Sequence, residues 1–94
     1  MLIQSNQAHA EFAVFTMAVR AEVTAVRLAV VDGKRTYAGR LLIRQLARVK
    51  DRQQRPSWYP VAPELFQLRC ELETVGKKLC VLQPQTPTMT NLLT

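Results

Sequence analysis

Residue types that carry catalysis or hold metals are scarce in this chain of 94 residues. It has one histidine, His9, and two cysteines, Cys70 and Cys80. Two thiols and one imidazole cannot complete a four-ligand metal site. The cysteines are too few for a disulfide framework and lack a CxxC spacing. Both are expected to be small buried apolar residues. The three glycines, Gly33, Gly39 and Gly76, form no phosphate-binding loop. No serine sits in a nucleophile elbow, and Asp51 has no neighbouring histidine in the sequence to make an acid–base pair. The expectation is a protein without catalytic function or cofactor.

Long apolar runs are also missing. FAVFTMAV, residues 12 to 19, is soon followed by Arg20, Glu22 and Arg27, well short of the ~20 apolar residues of a membrane span. MLIQSNQAHA at the start has neither the basic region nor the apolar core of a secretion leader. A cytoplasmic protein without membrane contact is expected. With 48% apolar residues the chain can build a core. Residues 1–84 are read as one globular domain. Residues 85–94, where QTPTMT shows no periodicity, are read as a flexible tail.

Charge is present, but in one place. Residues 34 to 55 contain Lys34, Arg35, Arg40, Arg44, Arg48, Lys50, Arg52 and Arg55 against one acid, Asp51, a balance of +7. The rest of the chain has five basic and six acidic residues, a balance of −1, and the two together give the net +6. A local excess of this kind points to a contact surface. Within it, Arg40, Arg44, Arg48 and Arg52 recur at every fourth position, as neighbours along a helix do.

The local patterns leave two architectures open. Residues 11 to 31 alternate as a strand would, with a slip in phase near Ala25. Their β-branched and aromatic side chains favour strand. Yet Phe12, Phe15, Val19, Val23, Val26 and Val30 keep helical spacing, and the alanines favour helix. Asp32-Gly33 is a hairpin signal, since a type I′ turn needs positive φ; a glycine ending a helix uses the same geometry. Gly39 would end the second strand. Arg40 to Arg52 then reads as a helix with an apolar stripe of Leu42, Leu46 and Val49, supported by Ile43, and it stops before Pro56. Phe66, Leu68, Cys70 and Leu72 alternate with polar residues, which predicts a second hairpin turning at Val75-Gly76. Against it, Leu65, Leu68, Leu72, Val75, Leu79 and Leu82 also keep helical spacing. The favoured fold is α+β, in the order β-β-α-β-β, with a basic helix on an antiparallel sheet. The alternative is three helices over 8–31, 36–54 and 63–82.

The arginines carry the functional reading. A planar guanidinium donates two parallel hydrogen bonds to phosphate or carboxylate. Arg40, Arg44, Arg48, Arg52 and Arg55, with Lys34 and Arg35 at the rim, are expected to contact an anionic partner. Nucleic-acid phosphates are favoured over an acidic protein surface, and a merely solvated helix face competes with both. In the RPSWYP loop, Trp58 and Tyr59 either cover the core or add an exposed stacking pair. Self-association is a further candidate, through a sheet edge or residues 12 to 19.

Overall fold

The computed structural model describes residues 2–82, with side chains from residue 6 onward. The tail expected at 85–94 lies outside the described residues. Three α-helices follow one another: α1 over Leu2–Val31, α2 over Arg35–Gln53 and α3 over Ala62–Leu79. A 3-10 helix, Pro56–Val61, joins α2 to α3. No strand occurs among the described residues. The expected β-β-α-β-β order with its antiparallel sheet is therefore overturned in favour of a helical bundle.

The physical reason lies in which pattern buries its residues. In α1, Ala8, Phe15, Val19, Val26 and Ala29 are buried, with Phe12, Val23 and Val30 packed beside them. These positions follow the 3.6-residue period. The period-two reading would have buried Met17 and Ala21, which are exposed. In α3 the same contest goes the same way. Leu65, Leu68, Leu72 and Gly76 are buried, whereas Phe66 and Cys70 face outward.

Both expected hairpin turns resolve differently. Gly33 has φ of +79°, but it ends α1. Its N–H donates to the carbonyl of Val30 at 3.0 Å, and that of Lys34 donates to Ala29 at 2.8 Å, the paired bonds of a Schellman motif. Gly76, taken as a turn residue, lies inside α3. A Cβ there would run into the side chains of Leu82 and Leu42, so close packing offsets the roughly 1 kcal/mol that glycine costs a helix. Gly39 likewise sits inside α2 and breaks no strand; a Cβ on it would lie 2.9 Å from the carbonyl oxygen of Val81.

Arg55 is extended, as a residue before proline must be, and Pro56 opens the 3-10 helix. Pro63 stands in the first turn of α3, where its missing N–H costs nothing, and Glu64 follows it there. The end of α3 returns to the start of α2. Cys80 takes the left-handed conformation, φ 55°, in place of a glycine, and the N–H of Val81 donates to the carbonyl of Gly76 at 3.1 Å. Both cysteines are free and exposed, so neither is the buried apolar residue expected of it.

Candidate functional site

The arginine stripe lies on α2, and the geometry of that helix divides it. One residue turns the helix by about 100°, so each four-residue step overshoots a full turn by about 40° and three steps carry the line round by about 120°. Arg40 and Arg44 point to solvent; Arg48 and Arg52 come round to the boundary with α1 and are half-buried.

At that boundary the guanidiniums meet aromatic rings. The Arg52 guanidinium carbon lies 4.7 Å from the centre of the Phe15 ring and 5.5 Å from that of Trp58. Arg48 lies 5.4 Å from Phe15. Phe15 and Trp58 meet edge to face, with centroids 5.4 Å apart and planes at 80°. Such cation–π contacts contribute about 0.5–2 kcal/mol each, more when water is excluded. Arg48 also donates from Nη1 to Oε1 of the buried Gln45 at 2.9 Å. Burial lowers the pKa of Arg52; Arg55 and Arg48 add to that effect and Asp51 opposes it. A guanidinium so far from neutral pH nonetheless stays charged.

Asp51 serves the end of the helix. Its carboxylate forms ion pairs with Arg55 at 2.7 Å and Arg52 at 3.5 Å. Arg40, Arg44 and Lys50 are exposed and have no ion-pair partner among the described residues. The two rim residues are engaged elsewhere. Lys34 pairs with Asp32 at 3.4 Å. Arg35 donates from Nη2 to the carbonyls of Leu79 and Cys80, both at 2.7 Å, and so satisfies the last carbonyls at the end of α3.

Trp58 is 6% exposed and belongs to the core, whereas its neighbour Tyr59 is 57% exposed. An open groove of about 550 Å³ runs between α1 and α2 above Phe15 and Trp58. Ala10, Val14 and Ala18 form its α1 wall, with Glu11 beside them, and Arg48, Arg52 and Arg55 its opposite wall. Sequence reasoning missed Phe15 and Gln45 as the supports of the half-buried arginines. Phe15 was legible as a core residue, but its partner helix was not. Among the described residues no group of His, Cys, Asp and Glu is placed to hold a metal ion, and no helix is long and apolar enough to cross a membrane. Compared with known proteins, the chain matches no family model, no curated protein and no solved structure.

Proposed function

We propose that this chain is a non-catalytic binding protein whose α2 surface contacts the phosphates of a nucleic acid. The supporting observation is the pairing pattern. The only acid between residues 34 and 55, Asp51, is taken by Arg52 and Arg55, and Arg40 and Arg44, nearer the start of α2, remain open to solvent. Unpaired guanidiniums carry no internal interaction that a phosphate would have to break. Arg55, on the edge of the groove, extends the face. Arg48 and Arg52 contribute positive potential from positions that the rings and Gln45 hold rigid. The contact would read backbone charge rather than base identity. Trp58 plays no stacking part in it; Tyr59 is the exposed aromatic of that loop.

The groove favours a second reading. Its apolar floor beside three guanidiniums suits a protein segment that carries both an apolar and an acidic side chain, since aromatic pockets and arginines supply the anchor points of protein interfaces.

The deciding experiment measures binding to labelled single- and double-stranded nucleic acid at about 50 and 200 mM salt, beside Arg40→Glu/Arg44→Glu. If four phosphates are neutralised, affinity falls on the order of 10²-fold between those salt concentrations. The variant is expected to bind far more weakly while keeping its helix content, because neither residue supports the core. Absence of binding at the lower salt would sink the nucleic-acid reading and direct the search to acidic proteins.

A further inference from the structure

We propose that the outer face of α1 is a self-association surface, on which two copies of the chain pair parallel and in register. The surface borders the arginine-lined groove at Ala10 and Val14 but includes none of the α2 arginines, and the inference does not rest on nucleic-acid binding.

The buried residues of α1 occupy one side of that helix. A second line runs along the other side, from Ala10 through Val14, Met17, Ala21, Thr24 and Leu28 to Val31. Its steps alternate strictly between four and three residues, the repeat of a coiled-coil seam. Its large apolar members are uncovered: Val14 is 69% exposed, Met17 71%, Leu28 64% and Val31 85%. Single exposed apolar residues are ordinary on a surface, but a continuous line of them marks an interface. A helix that is apolar on opposite sides belongs between two partners. Within the chain, α2 and α3 supply only one.

The flanks of the seam specify the occupant. Arg20 and Arg27 lie on one flank, Glu11 and Asp32 on the other. In a parallel, in-register pair each Arg27 meets Asp32 of the second copy, five residues further on, once on each side of the seam. An antiparallel pair over the same stretch sets Glu11 against Asp32 on one side and Arg20, which pairs with Glu71 within the chain, against Arg27 on the other, like charge facing like. Arg27 is exposed and has no ion-pair partner among the described residues. Asp32 has only its exposed contact with Lys34. The middle of the seam, Ala21 and Thr24, is small enough to let two helices approach. It also buries little, so the pair is a reversible dimer rather than an obligate one.

Sedimentation equilibrium of the full chain, without nucleic acid and up to high micromolar concentration, is expected to show a monomer–dimer equilibrium. Met17→Glu/Leu28→Glu alters only exposed positions; it should stay helical by circular dichroism and sediment as a monomer. Arg27→Glu should weaken the dimer roughly three- to tenfold, and adding Asp32→Lys should restore it. With Cys70→Ser and Cys80→Ser in place, Thr24→Cys should cross-link two copies on mild oxidation, because parallel pairing sets residue 24 against itself. A monomer at every concentration overturns the proposal. So does a dimer that survives Met17→Glu/Leu28→Glu, or one that Thr24→Cys does not cross-link.

Discussion

The two ends of the arginine stripe differ in what surrounds them. Arg40 and Arg44 stand in solvent with no ion pair among the described residues, whereas Arg48 and Arg52 lie over the rings of Phe15 and Trp58. Residue type and spacing are the same at both ends. The difference comes from the mismatch between a four-residue repeat and a 3.6-residue turn, which winds the line from the outer face of α2 into its contact with α1. One end is consequently a surface that can accept a ligand. The other is part of the packing, with the arginine stems covering apolar area and the charge resting on π faces.

The most severe way to break this contrast is to remove the floor beneath the buried end. Phe15→Ala deletes the ring under both guanidiniums and the edge contact to Trp58, and should cost about 3–5 kcal/mol in a denaturant titration. A cost below about 1 kcal/mol, the scale of an exposed change, would show that the ring supports little. Arg52→Ala comes next, at about 1–2 kcal/mol through lost cation–π and stem packing. Arg52→Lys should recover only part of that, since an ammonium keeps the charge but not the flat face. The smallest change in stability belongs to Arg40→Ala and Arg44→Ala, each within about 0.5 kcal/mol. These two should instead lower the slope of nucleic-acid affinity against salt, by about one per residue. Equal losses of stability from Arg40→Ala and Arg52→Ala would erase the distinction between the ends.

The basic helix was legible because its residue types, its apolar stripe and the proline after it all agree. Its neighbours were not, and the cause is specific. Leu68 and Leu72 satisfy the strand pattern and the helix pattern at once; Phe66 and Cys70, exposed in the helix, and Leu65, buried in it, separate the two. Asp32-Gly33 poses the same difficulty, because a left-handed glycine closes a hairpin or ends a helix with one backbone geometry. The three-helix alternative, 8–31, 36–54 and 63–82, lies close to the observed helices. At the site, the arginines could be found by charge alone. Their division into open and stacked ends could not, because it depends on α1 placing Phe15 beside α2, and no local signal in residues 40 to 55 records that. Ile43, read as support for the apolar stripe, is exposed, so the stripe was drawn slightly too wide.

Arg35 links the start of α2 to carbonyls 44 and 45 residues away, and this bears on the order of events in folding. A bond across so long a stretch of chain forms only after α2 and α3 have met, because the entropy of closing that loop must first be offset by other contacts. Interactions that form after the rate-limiting step hold the native state shut without hastening its arrival. Arg35→Ala should accordingly refold at nearly the original rate in stopped-flow experiments yet unfold faster, with the corner between Gly39 and Val81 the first part of the bundle to come apart.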